Sequence, residues 1–257
     1  MNAGAMPMRP VGEKSARAGD ERLAVLAHEL RTPLSALTGA AEVLARCASE
    51  PSMVRISQIV SRQTATMRAL VEQLLDASRV DTGRLVLRMC LIDLRDVARN
   101  AVDDHREQLG RAGLHCELSL HSQPIRVNGD AVKLGQVLGN LLSNAIKFTP
   151  APGSVHIAVE ANGDCARLSV RDTGIGLSAD LLPVIFDRYC QASRGSFGGL
   201  GLGLPIAKGL VDLHGGEIRA VSDGPGTGCT ITVDLPLAKE CATMRGNAND
   251  ECPSAGQ

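Results

Sequence analysis

The stretch "GGLGLGLPIAKGL", Gly198–Leu210, decides how the chain must be read. Glycines at 198, 199, 201 and 203 run straight into a helical pattern, and Pro205 falls in its first turn, where a missing N–H costs nothing. Pliable backbone ahead of a helix start suits a phosphate, because the first N–H groups of a helix have no partner inside it. Two common phosphate-binding folds are excluded. A dinucleotide-binding unit needs a strand leading into the glycines, and no strand pattern precedes them. A P-loop needs Gly-Lys-Ser/Thr, which does not follow.

Working upstream, "LLPVIFDRYCQASRGSF" (Leu181–Phe197) is too long and too apolar for a plain surface loop. It reads as a lid over a nucleotide, anchored by Phe186 and Tyr189. Before it comes "DTGIGL", in which Asp172 ends a strand and Gly174 and Gly176 let the backbone turn tightly. A carboxylate there can accept a hydrogen bond from an exocyclic amine such as that of adenine; an ordinary Asp/Gly turn is the alternative. Further upstream, "NLLSNAIKF" puts Asn140 and Asn144 on one helix face, with Lys147 a turn further on. Amide oxygens are hard ligands that suit Mg²⁺, and a lysine can meet phosphate oxygens. Solvated helix-surface residues are the alternative reading of that cluster.

Around these motifs the pattern predicts an α+β domain with helices on one face of a mixed sheet. Asp93 is placed to cap a helix running to about Leu109, "LHCELSL" alternates as a strand, and residues 129–148 are helical. "SVHIAVE" and "ARLSVRD" flank Asn162-Gly163 as a hairpin, and "GEIRAV" and "CTITVDL" make a second one.

The N-terminal quarter differs. Leu23, Leu26, Leu30, Leu37, Ala40 and Leu44 follow a heptad, and Ile56, Val60, Gln63, Met67, Leu70 and Leu74 form a second seam after the Pro/Ser loop "CASEPS". Two such helices make an antiparallel hairpin whose seam wants further partners. A homodimeric four-helix bundle supplies them; packing on the rest of the chain is the rival. In this frame His28 falls at the position furthest from the seam, beside Glu29 and one turn before Thr32. Pro33 cannot donate to the carbonyl of Glu29 and bends the helix there. An outward histidine next to a carboxylate that can orient its ring has the makings of a nucleophile and its base.

The totals narrow the class. A net charge of −1 gives no electrostatic case for nucleic acid or an anionic membrane surface. No apolar run is long enough to span a bilayer, so the expected location is cytoplasmic. The 8 cysteines show no C-x-x-C pair and read as reduced thiols, several buried as small hydrophobes.

Taken in order, the motifs resemble those of the sensor histidine kinases of two-component systems. "LAHELRTPL" looks like their H-box, and "NLLSNAIKF", "DTGIGL", "IFDRYCQ" and "GGLGLGL" look like their N, G1, F and G2 boxes. The resemblance implies a dimerisation and histidine-phosphotransfer domain over residues 21–82 and a Bergerat-type α/β sandwich that binds ATP over 83–237. Tails at 1–20 and 238–257 are expected to be disordered. It implies autophosphorylation of His28 by ATP with Glu29 as base, then transfer to an aspartate on the receiver domain of a separate response regulator. Thr32 matches the position that helps such enzymes dephosphorylate that partner. Asn144 would hold Mg²⁺ with Asn140 beside it, Lys147 and Arg188 would meet phosphates, and Asp172 would bind the adenine amine. Gly174, Gly176, Gly199, Gly201 and Gly203 would let the chain wrap the nucleotide. The stretch carries no sensory domain, so the signal comes from a separate sensor protein or from the rest of a larger one.

Overall fold

The computed structural model describes residues 33–40, single helical positions between 53 and 79, and residues 85–190 and 201–238. These fall into two compact units, divided between residues 75 and 76.

In the first unit residues 33–40 are helical. Thr38 Oγ1 donates to the Leu34 carbonyl at 2.9 Å, a back-bond that spares this hydroxyl from competing elsewhere. The heptad is visible in burial: Ala40 and Ile56 are buried, Leu37, Val60, Gln63 and Met67 half-buried, and Leu34, Ser57, Ser61 and Thr64 exposed. His28, Glu29 and Thr32 lie outside the described residues.

The second unit is a sheet with helices on one face. In chain order it runs β1 (Cys90–Asp93), α1 (Leu94–Arg111), β2 (Leu114–Leu120), β3 (Arg126–Gly129) and α2 (Ala131–Phe148). It continues through β4 (Gly153–Asn162), β5 (Cys165–Asp172), α3 (Gly203–Leu213), β6 (Glu217–Val221) and β7 (Cys229–Pro236). The large sheet has the order β2-β4-β5-β7-β6, with β2 parallel to β4 and the other pairs antiparallel. Val155, Ile157 and Val159 of β4, Leu168 and Val170 of β5, and Ile231 and Val233 of β7 are buried at every second position. Period-2 burial is what a sheet covered on one side requires. The covering side comes from Val97, Ala98 and Ala101 of α1, Leu138, Leu141 and Leu142 of α2, and Ile206, Leu210 and Val211 of α3.

The starts of α1 and α2 are built by carboxylates. Asp93 accepts from the Arg95 N–H at 3.0 Å, and Asp130 accepts from the N–H groups of Val132 and Lys133. Asp93 also takes the Ile125 N–H, and Arg95 reaches on to the carbonyls of His121 and Ser122, so one cap ties α1 to the β2–β3 connection. At the far end of the domain the Nδ1 of buried His214 faces the Leu210 carbonyl at 2.7 Å, and its Nε2 accepts from the Asp130 N–H at 3.0 Å. Those partners fix the tautomer and fasten the end of α3 to the start of α2.

Several expectations need correction. The short ladder β1–β3 carries no alternation long enough to be seen in sequence. In the β4–β5 hairpin Asn162 pairs with Cys165, so the turn residues are Gly163-Asp164, one further along. Gly163 has a φ of 59° at the first turn position, where a glycine is favoured. Ala238 does not begin a loose tail, since its N–H donates to the Arg126 carbonyl at 2.8 Å. The described cysteines, Cys90, Cys116, Cys165, Cys190 and Cys229, are half-buried rather than buried.

On the open side of the sheet, buried Asp234 receives a two-pronged contact from Arg167 (2.7 and 2.9 Å) and a third bond from Arg219 at 2.6 Å. Hydrogen bonding from Arg167 outweighs burial and holds the Asp234 carboxyl below its usual range. A depressed folded-state value means the contribution is present above the unfolded pKa and lost as pH falls through the folded one. Asp234→Asn is therefore expected to lower the melting temperature by a few degrees at neutral pH. The gap to the parent should close as the buffer is taken below the carboxylate range; a gap constant with pH would refute this account.

Candidate functional site

Asp172 closes β5, where its partners are Val155 of β4 and Cys229 of β7. Its Oδ1 accepts two backbone N–H groups, from Gly174 at 2.8 Å and Cys229 at 3.2 Å. Among the described residues Oδ2 has no hydrogen-bond partner. Burial raises the Asp172 pKa above the ordinary carboxylate value, against the pull of those two N–H groups. Holding this charge in place therefore costs the fold stability, a mark of a group kept for a ligand.

The carboxylate sits in a pocket of about 560 Å³ counting its open mouth. Leu141, Ala145 and Phe148 of α2, Val170, Ile231, Ile175, Leu177, Ile185 and Leu204 make its walls apolar, while Asn144 and Asp172 supply polarity. A flat heterocycle carrying an amine fits that chemistry: apolar faces for the ring and one unfilled acceptor for the amine. The start of α3 has no side-chain cap, which leaves its first N–H groups for an anion. The residues present therefore fit an adenine nucleotide.

The other anticipated residues are distributed around the pocket. Asn144 lines it. Asn140, on the same helix face, spends its amide nitrogen on the Gly203 carbonyl at 3.0 Å and so joins α2 to α3 instead of lining the pocket. Lys147 Nζ lies 4.7 Å from the centroid of the Phe148 ring, and Phe148 is a wall residue. Arg188 is half-buried in the segment after β5. That segment is pinned by Ile185, which is buried, whereas the anticipated anchors Phe186 and Tyr189 are only half-buried. Tyr189 (φ 61°) donates its N–H to Gly201 at 3.1 Å. Gly199 lies outside the described residues.

The glycines separate into two kinds. A Cβ on Gly176 would overlap the Gly224 carbonyl oxygen, and its φ of 66° already disfavours a side chain. Gly174 is similarly closed in by the Phe148 carbonyl. Both glycines are thus demanded by approaching protein backbone, a different reason from wrapping a nucleotide. Gly203 is not: a Cβ there would meet only Asn140 atoms at 3.6 Å and beyond, an ordinary contact. Gly176→Ala is expected to lose nucleotide binding together with thermal stability. Gly203→Ala should keep its melting temperature and still bind ATP several-fold more weakly. Equal behaviour of the two in paired melting and titration experiments would refute this division.

Sequence reasoning read the Ser222–Gly228 connection only as a hairpin turn, and missed Cys229 and Ser222 as parts of the site. Cys229 lines the pocket, and burial together with the neighbouring Asp172 charge pushes its thiol up to about 12. It is a neutral wall residue at physiological pH.

Comparison with known proteins agrees with this geometry. Residues 129–239 match the family model described as "Histidine kinase-, DNA gyrase B-, and HSP90-like ATPase", and residues 20–83 match "His Kinase A (phospho-acceptor) domain". The second unit is an ATP-binding domain of that ATPase class. The chain as a whole belongs to the two-component sensor histidine kinases.

Among its relatives is the circadian input-output histidine kinase CikA of Synechococcus elongatus, 35% identical over 84% of this chain and 30% of CikA. Another is the sensor protein kinase PmrB of Pseudomonas aeruginosa, 36% identical over 84% of this chain and 45% of PmrB. The solved structure of full-length ShkA in complex with AMPPNP is 27% identical, with a TM-score of 0.65 over 85% of this chain and 46% of ShkA. The chain spans less than half the length of these relatives. No described helix is long and apolar enough to cross a membrane.

Proposed function

We propose that this chain is an ATP-dependent protein-histidine kinase that phosphorylates its own His28 and passes the phosphoryl group to an aspartate of a response regulator receiver domain. The observation that carries the reading is Asp172, with one oxygen saturated by backbone and the other unfilled in an apolar pocket. An ATPase-type domain alone would fit simple hydrolysis. The accompanying phospho-acceptor domain match, with His28 inside it, favours transfer to protein.

Residues 21–82 would form the dimerisation and phosphotransfer domain, pairing with a second copy into a four-helix bundle, and residues 83–237 the catalytic domain. Asp172 accepts the adenine amine, and the open start of α3 with Gly201 and Gly203 receives phosphates, assisted by Lys147 and Arg188. Mg²⁺, bound with the nucleotide, would neutralise phosphate charge, and Asn144, whose amide oxygen is a hard ligand on the pocket wall, is the residue that would hold it. Glu29 takes the His28 ring proton as the ring nitrogen attacks the γ-phosphorus and ADP leaves. Thr32 would serve dephosphorylation of the regulator.

Incubation with γ-labelled ATP and Mg²⁺ should give an acid-labile label on the protein. EDTA should suppress it, and a receiver domain added afterwards should remove it. Steady phosphate release with no labelled protein would instead mark a hydrolase.

A further inference from the structure

We propose that Ser222 is a positioning residue that holds the base-binding wall of the nucleotide pocket without touching the nucleotide. The inference rests on the ATP reading of that pocket. Ser222 follows β6 and opens the loop "SDGPGTG" to β7. Its Oγ accepts the Leu177 N–H at 2.9 Å and donates to the Gly228 carbonyl at 2.7 Å. A serine hydroxyl has one proton and two lone pairs, so both bonds form at once. Thr227 Oγ1 donates to the Gly224 carbonyl at 2.7 Å and keeps the loop compact.

Two backbone bonds complete the seam: the Gly226 N–H to the Ile175 carbonyl at 2.6 Å and the Gly228 N–H to the Gly174 carbonyl at 3.0 Å. Ile175, Gly176 and Leu177 form one wall of the pocket, and Cys229 follows directly on the loop. The Ser222 hydroxyl thus spans the wall and the loop that braces it, a side-chain link beside the main-chain bonds of the seam. Removing it leaves the Leu177 N–H and the Gly228 carbonyl without that partner. Asp172 keeps both of its own N–H bonds, so the loss falls on the fit of the wall against the base.

A loosened base wall weakens ATP and ADP by the same factor, because both carry the same base. It raises KM without lowering kcat, since the phosphates and His28 are addressed by other residues. In the full chain, Ser222→Ala should weaken both nucleotides about tenfold, the scale of one net hydrogen bond of upper-range strength. Its rate at saturating ATP should match the parent, and Ser222→Thr, which keeps the hydroxyl, should recover affinity. Melting curves accompany the titrations; if Ser222→Ala is unfolded at the assay temperature, Ser222→Cys takes its place with the same expected pattern. Unchanged affinity, or a loss confined to kcat or to the triphosphate, overturns the assignment. A parent chain that binds neither nucleotide defeats the ATP reading itself. A parent that binds while Ser222→Ala binds equally well defeats only the role of Ser222.

Discussion

Asp172→Asn is expected to bind ATP about 100-fold more weakly than the parent, on the order of 2–3 kcal/mol for losing a hydrogen bond to a charged acceptor and setting two donors face to face. The substitution is close to isosteric, and an amide oxygen can still take the N–H groups of Gly174 and Cys229 that hold Oδ1. What changes is the other prong, where an acceptor becomes an NH₂ donor. The fold should not suffer. Burial raises the Asp172 pKa, so the ionised carboxylate costs stability once pH rises through that value, and a neutral amide escapes the cost. The melting temperature is expected to stay level or rise while binding is lost. The same logic reverses base preference, since a donor at this place suits a 6-oxo purine, and inosine triphosphate should lose less affinity than ATP or gain some. Calorimetric titration of both nucleotides against both proteins checks this. ATP affinity that survives the change would remove Asp172 from base recognition.

His28→Gln should abolish the acid-labile label altogether while leaving nucleotide affinity as in the parent. Glutamine preserves size and polarity but has no ring nitrogen able to form a phosphoramidate. The pocket proposed for ATP is assembled within the second unit from residues between Leu141 and Ile231, so its affinity is not expected to depend on residue 28. The decisive comparison is label and nucleotide affinity on one preparation. Label that persists in His28→Gln would place the phosphoryl group elsewhere. Joint loss of label and affinity would mean that residue 28 supports the fold of the nucleotide site.

The parts of this protein that were legible beforehand are those with a local repeat. Alternation exposed β2, β4, β5, β6 and β7 because one face of their sheet is buried. The capping role of Asp93 was visible because it sits directly before a helical pattern. Asp172 and Asn144, which line the pocket, were singled out through motif order and resemblance. The rest depended on who meets whom across the fold. Helical spacing put Asn140 and Asn144 on one face but could not show that Gly203 would claim Asn140. Size made Phe186 and Tyr189 the natural anchors, yet depth of insertion selected Ile185. The need for glycine at 176 arises from a carbonyl at Gly224, 48 positions away. No local pattern records such a contact.

The sheet has two hairpin connections, the two-residue Gly163-Asp164 and the longer Ser222–Gly228, that differ in what they tolerate. The Gly163-Asp164 turn only reverses the chain; a Cβ on Gly163 would meet nothing within 4 Å. A reporter peptide or fluorescent protein spliced there should leave ATP binding intact. The Ser222–Gly228 connection is wedged under residues 174–177, and the same insertion would pry the pocket open. For anyone building a sensor from this protein, the first turn is a handle and the second is a trigger.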